Sequence, residues 1–427
     1  TATEFTVGGA NEVNGNGMTY VAYLFAHNEQ DFGEDSDEAI IHCGSYTGTG
    51  SYSSPPVINL GFEPQWVMLK NATSNGDWVI CDVMRGATSQ IIGTAGNAQR
   101  LNANNTNAET AYTGGYIPVS PTPTGFTMSI DGSEGNASGK TYIYMAIRRP
   151  HKPASEFAAT DLFKPNSNDN GGGKPDIISG FPVGFYFRRY RNSDGHNQVL
   201  SRLQGRAILS TSTADAGSNT SYDSAGFDYN NGVMNIFSST NSNYGVWMWR
   251  RAEGFCDVVS YEGDGTNGRT VTHNLGVTPE MIWLKARNSS SEDWRVYHSA
   301  TGATKALYLN ASSAAATSAG FWNDTAPTSS VFSTYSAFTN DSSLTYIAYL
   351  FASVDGISKV GSYTGTGSDV DVDCGFSAGS RFVLVKRTDS TGDWYYWDSV
   401  RGIVAGNDAY LLLNSASAEV TNTDYID

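Results

Sequence analysis

The sequence predicts an all-β protein made of tandem antiparallel β-sandwich domains, lectin-like or jelly-roll-like in type. Three observations predict it. Apolar residues alternate with period two over short runs such as 66–70 and 78–83, which is the pattern of strands with one buried face. The runs are bounded by Gly, Asn, Asp and Ser. Pairs such as Asn75-Gly76, Asp131-Gly132, Asn231-Gly232 and Asp264-Gly265 suit tight hairpin turns, because these residues tolerate positive φ. No stretch keeps a helical stripe for three turns. The third observation is that the chain repeats itself.

Gly44-Ser-Tyr-Thr-Gly-Thr-Gly-Ser51 recurs letter for letter at 361–368, and Val259-Ser-Tyr-Glu-Gly-Asp-Gly265 is a divergent copy. After each copy come Gly61-Phe62 and Trp66-Val-Met-Leu-Lys70, Leu275-Gly276 and Met281-Ile-Trp-Leu-Lys285, or Gly375-Phe376 and Phe382-Val-Leu-Val-Lys386. An Asp-Trp pair follows each time, as Asp77-Trp78, Asp293-Trp294 and Asp393-Trp394. Beyond it stand a glycine (Gly86, Gly302, Gly402) and a Leu-Asn pair (Leu101-Asn102, Leu309-Asn310, Leu413-Asn414). Each unit closes on an aromatic strand led by Tyr20, Tyr142, Tyr244 or Tyr346, at intervals of about one small β-domain.

In chain order, this phase reads residues 1–40 as the end of a preceding repeat plus an acidic linker, and 41–150 as a β-sandwich repeat. Residues 151–173, where charge, proline and glycine cluster, read as a linker. A divergent repeat at 174–254 has lost the Tyr-x-Gly-x-Gly opening and the Asp-Trp pair. Residues 255–355 are a further repeat, and 356–427 an incomplete one, because no closing aromatic strand appears before Asp427. The phase therefore predicts a window from a longer protein. The residues shared between units are read as structural core: Trp78, Trp294, Trp394, Phe62, Phe376, Tyr46, Tyr261 and Tyr363. Ligand contacts should instead differ between units, in the loops 102–115, 210–223 and 311–323.

Composition narrows the function. The 427 residues hold 46 Gly and 13 Pro, with 24 Tyr, 19 Phe and 9 Trp, enough apolar surface to exclude a disordered chain. A net charge of −16 opposes a broad grip on nucleic-acid phosphates. No apolar run reaches the length of a membrane helix, and the first residues lack a signal peptide's pattern, which predicts no membrane insertion. Cys43, Cys81, Cys256 and Cys374 lie far apart, outside the spacing of a zinc site or a disulfide framework.

Enzyme chemistry finds no strong candidate. The sharpest acids are Asp82 and Asp398, each followed three residues later by an arginine, Arg85 and Arg401. In the 255–355 unit these positions are His298 and Thr301, a change that a catalytic acid could not survive but a strand-end ion pair could. An Asp-x-x-Arg-Gly salt bridge across a turn is the expectation. His27, His42, His151, His196, His273 and His298 show no metal-ligand spacing. The glycines of 46–50 lack the Lys-Ser/Thr and helix of a phosphate cradle, and fit a bulge or tight strand entry instead. Acidic residues at 29–38 and at Asp369, Asp371 and Asp373 offer hard oxygen ligands without the spacing of a calcium loop. No cofactor is expected, calcium being the one ion the sequence leaves open.

The strings at 44–50, Lys386-Arg-Thr-Asp-x-x-x-Asp-Trp394, Asn323-Asp-Thr-Ala-Pro-Thr-Ser329 and Thr141-Tyr-Ile-Tyr-Met-Ala-Ile-Arg-Arg-Pro150 resemble a repeat domain of uncharacterised function. That domain is found in virion and tail-fibre proteins of tailed bacteriophages, marine ones among them. The resemblance implies a β-rich virion appendage, extracellular, commonly homotrimeric, that associates with other virion proteins and presents lectin-like surfaces to a host glycan or protein. It implies no catalytic residues. The expected function is structural and adhesive. The alternatives are a receptor-degrading glycan hydrolase, which would need two carboxylates facing across a cleft, and a cellular adhesin or filament subunit built from the same modules.

Overall fold

A computed structural model describes residues 4–25, 39–51, 54–87, 99–111, 119–128, 134–166, 175–205, 207–219, 224–227, 229–234 and 244–426. The chain is all-β, with antiparallel sheets and, among the described residues, two one-turn α-helices, Asn11–Asn14 and Ala319–Trp322. No described helix is long and apolar enough to cross a membrane.

Three six-stranded sheets share one strand order. The first runs Ile41–Thr47, Thr141–Arg148, Pro64–Asn71, Val79–Asp82, Gln99–Asn102, Thr110–Ala111. The second runs Phe163–Asn166, Tyr244–Trp249, Phe185–Tyr190, Gln198–Ser201, Ala207–Ser210, Ser218–Asn219. The third runs Cys256–Glu262, Thr345–Phe351, Met281–Ala286, Arg295–His298, Lys305–Tyr308, Ala316–Thr317. A fourth sheet, Phe382–Lys386, Trp394–Asp398 and Leu411–Leu412, repeats the middle of this order. We refer to the four as the first to fourth units. In the first three, a small sheet from the same unit faces the large one across an aliphatic and aromatic core, as where Ile58 and Phe126 meet Val67 and Leu69, and where Val271 and Phe332 meet Ile282 and Leu284.

The closing aromatic strand lies second in each six-stranded sheet, between the opening strand and the strand that carries the recurring cation, Lys70, Arg189 or Lys285. Its letters account for that place. Thr345–Phe351 is apolar on both faces and buried at every position, as a strand covered on two sides must be. Its tyrosine stacks on that of the opening strand, Tyr46 on Tyr142 at 5.2 Å and Tyr261 on Tyr346 at 5.1 Å between ring centroids. The glycine two residues on is there for space. A Cβ on Gly48 would lie 2.3 Å from the Ala137 carbonyl oxygen, and one on Gly263 1.9 Å from that of Asp341.

Three expectations change. Tyr363, read as core, is 55% exposed; residues 359–380 form no strand, and among the described residues Tyr363 has no closing aromatic strand to stack on as Tyr46 and Tyr261 do. Phe376 is half-buried, whereas Phe62 is buried. Residues 151–173 are not all linker, since Phe163–Asn166 is the opening strand of the second sheet. Its Pro165 is tolerated because the strand lies at the sheet edge.

Candidate functional site

The Asp-Trp pairs build one local device three times. The Trp78 backbone N–H donates to Asn104 Oδ1 at 2.8 Å, and Asn104 Nδ2 donates to Asp77 Oδ1 at 2.8 Å. Asn310 joins Asp293 and the Trp294 N–H in the same way at 2.8 and 3.0 Å, and Asn414 joins Asp393 and the Trp394 N–H at 2.7 and 2.8 Å. The clasp closes a hairpin whose loop varies in length. In the first unit its asparagine is Asn104, two residues past the Leu101-Asn102 pair that the sequence comparison selects. Asn310→Ala removes both bonds and should lower stability by about 1–3 kcal/mol, to be read as a shift in the urea midpoint.

The clasp aims each tryptophan at a neighbouring unit. Trp294 Nε1 donates to the Ser210 carbonyl at 2.7 Å, and Trp394 Nε1 to the Tyr308 carbonyl at 2.8 Å. In the second unit Asn197 stands where the tryptophan would be, and its Nδ2 donates to the Leu412 carbonyl at 2.8 Å. Ser210, Tyr308 and Leu412 are equivalent by strand pairing. The third unit thus holds the second, the fourth holds the third, and the second holds the fourth. This is a closed ring with pseudo-threefold symmetry.

Other contacts round the ring repeat in step. Seven residues after each acceptor, a backbone N–H crosses back: Gly217 to Arg287, Ala315 to Thr388 and Glu419 to Arg191. The recurring cation crosses as well. Lys285 Nζ reaches the Ala214 carbonyl, Lys386 Nζ those of Ser312 and Ser313, and Arg189 those of Leu412 and Ser415. Burial pushes Lys285 down to about 8, against the pull of Glu292 and Asp293. The sheet faces between these contacts merge into one core, which includes Phe187, Trp247, Trp283, Tyr349 and Tyr396, with Phe382 packed against it. Of the loops 210–223 and 311–323, residues Ser210, Ala214, Ser312 and Ser313 supply carbonyls to these contacts. Trp294 and Trp394 are buried, whereas Trp78 is half-buried and its indole donates to no carbonyl of a neighbouring unit among the described residues.

The first unit joins the ring through ions. Arg251 donates to both Glu63 oxygens at 2.8 and 2.7 Å and to Asp257 Oδ1 at 2.9 and 2.7 Å, while Arg149 lies 3.3 Å from Glu63. The Asn274 N–H completes Asp257 at 2.9 Å. Burial opposes the Asp257 charge, yet Arg251 and Arg149 outweigh it and hold the carboxyl below its ordinary value.

The Asp-x-x-Arg-Gly corners are salt bridges. Asp82 Oδ1 caps the Arg85 N–H at 2.9 Å and its Oδ2 meets Arg85 Nε at 2.5 Å; Asp398 and Arg401 do the same at 3.0 and 2.5 Å. Asp398 also accepts Trp247 Nε1 at 2.9 Å. The hollow lined by Asn166, Gly245, Trp247, Asp398, Val400 and Arg401 has no room for a water molecule. Asp398→Asn, at a buried pair, should cost about 1–3 kcal/mol, and Asp82→Asn, at a more exposed one, distinctly less; equal shifts in melting temperature would contradict this geometry.

Among the described residues, no group of three or more His, Cys, Asp or Glu side chains could hold a metal ion. The acidic run 29–38 and His27 lie outside the described residues. His273 Nε2 lies 3.1 Å from the Thr328 carbonyl and burial lowers its pKa, while His298 Nδ1 accepts the Ala300 N–H within its turn. Cys43, Cys81, Cys256 and Cys374 are free thiols, and burial raises Cys81 to about 12.

No curated protein and no solved structure matches the chain. A family described as a domain of unknown function (DUF7483) matches residues 1–150 and 201–427, which takes in all or part of each of the four units that carry the clasps, the ring and the ion junction. The chain belongs to the DUF7483 family.

Proposed function

We propose that the chain is a structural and adhesive component of a virion appendage, such as a bacteriophage tail fibre, that presents β-sandwich domains to a host surface and is not an enzyme. One observation carries this reading. In the ring, the residues that recur between units spend their polar groups on each other and on backbone carbonyls of the next unit. The acids a glycan hydrolase would draw on, Asp82 and Asp398, are bound to arginines at the ends of strands.

Rigid modules of this kind favour binding through several weak contacts at once, where effective concentration replaces a deep pocket. The virion setting rests on the resemblance of the repeated strings. The chain, immobilised at high density, should retain purified bacterial lipopolysaccharide or capsular polysaccharide and release no reducing ends. Release of reducing ends that disappears in Asp398→Asn would overturn the reading.

A further inference from the structure

The first unit carries the counterpart of the ring-forming face, and its apolar residues there are half-buried or exposed. Strand pairing matches its residues one by one with those of the ring. Trp66 and Met68 correspond to Met281 and Trp283, and to Phe382 and Leu384. Ile80 corresponds to Val296 and Tyr396, Leu101 to Leu307 and Leu411, and Met145 to Tyr349 and Trp247. In the ring, seven of these ten positions are buried in one common core, and Met281, Phe382 and Leu384 are half-buried against it. In the first unit Trp66, Met68, Ile80, Leu101 and Met145 are half-buried and Ile143 is 40% exposed. An apolar sheet face this continuous marks an association site.

The polar frame of the face is also in place and half used. Lys285 Nζ has three acceptors, Ser289 and Glu292 in its own unit and Ala214 across the ring. Lys70 Nζ makes its two bonds at home, to Asn71 and to Gly76, which stands in the place of Glu292. An ammonium has three donors, and the crossing bond is the one Lys70 does not make among the described residues. On the accepting side, residues 106–110 are exposed, as is Ala72, the counterpart of Arg287 and Thr388.

We propose that the first unit assembles with the same unit of two further copies of this chain, as a threefold ring that reproduces the contacts of the internal one. Trp78 Nε1 then donates to the Asn102 carbonyl of the next copy, the Glu109 N–H to its Ala72 carbonyl, and Lys70 to the carbonyl of residue 106. A second copy is the occupant because the face is self-complementary: it holds both the donors and the acceptors that the ring shows meeting each other. A heterologous contact of this kind closes on itself when the rotation fits, and the ring within the chain shows that it fits at three.

Light scattering on the size-fractionated 427-residue chain should give three times the 45.8 kDa of one chain. Met68→Glu should give a monomer with unchanged far-UV circular dichroism. A wild-type monomer or dimer up to the solubility limit overturns the proposal. A second test does not depend on a charged variant folding. In a Cys43→Ser, Cys374→Ser background, Ala72→Cys with Glu109→Cys should form disulfides between copies on oxidation and give a covalent trimer on a non-reducing gel. No crosslink, dimers alone or a ladder running past three copies each overturn it.

Discussion

Arg251→Ala is expected to lower stability by about 3–5 kcal/mol, the usual cost of stripping one partner from a buried ion pair. Among the described residues, Arg251 is the only cation within 3 Å of both Glu63 and Asp257, whose side chains are 4% and 1% exposed. Its removal leaves two buried carboxylates to share Arg149, which is 3.3 Å from one and 3.9 Å from the other. The same network sets the acid response. The Asp257 carboxyl titrates lower in the folded chain than in the unfolded one, so its contribution is complete above the ordinary value of 3.8. It is lost as the pH falls through the depressed folded value. Asp257→Asn should therefore flatten the fall of the urea midpoint on acidification. An unchanged midpoint in Arg251→Ala would show that the first unit is not held to the ring by these ions.

Trp294→Ala should cost a similar amount, about 3–5 kcal/mol, because it opens a cavity in the core where three units meet. It also leaves the Ser210 carbonyl without its indole donor. Trp294→Phe keeps most of the packing and should lose only the bond, about 1 kcal/mol. Trp78 occupies the equivalent position but is half-buried, so Trp78→Ala should cost clearly less in a dilute, monomeric chain. Thermal unfolding followed in the near-ultraviolet compares the three, and equal losses at Trp78 and Trp294 would refute the assignment of Trp294 to a junction between units.

The sequence makes the strand class, the repeat and the core role of Trp294, Trp394, Phe62 and Tyr261 readable, because strands, turns and buried aromatics leave marks within one unit. The slip between Asn102 and Asn104 has a simple cause. Both follow Leu101 and both donate to Asp77, and only the bond from the Trp78 N–H distinguishes the residue that closes the hairpin. The second unit hides its kinship by placing Asn197 where the others have tryptophan, yet the amide donates to the same carbonyl position. Phe163–Asn166 is disguised by Pro165, which an edge strand permits. The ring leaves a fainter signal. Strands such as Tyr244–Trp249 and Thr345–Phe351 are apolar at odd and even positions alike, where a sandwich with one wet face would alternate. That lost alternation says that both faces are covered, but not by what.

Because the three members of the ring are consecutive stretches of one polypeptide, a substitution in it lands once, whereas in an assembly of identical chains it lands on every copy. Asn197 beside Trp294 and Trp394 is an instance of that freedom. One junction has exchanged an indole for an amide while the other two keep theirs. A scaffold of this kind can alter a single outward side at a time and so offer three unlike faces to its surroundings, with closure that does not weaken on dilution.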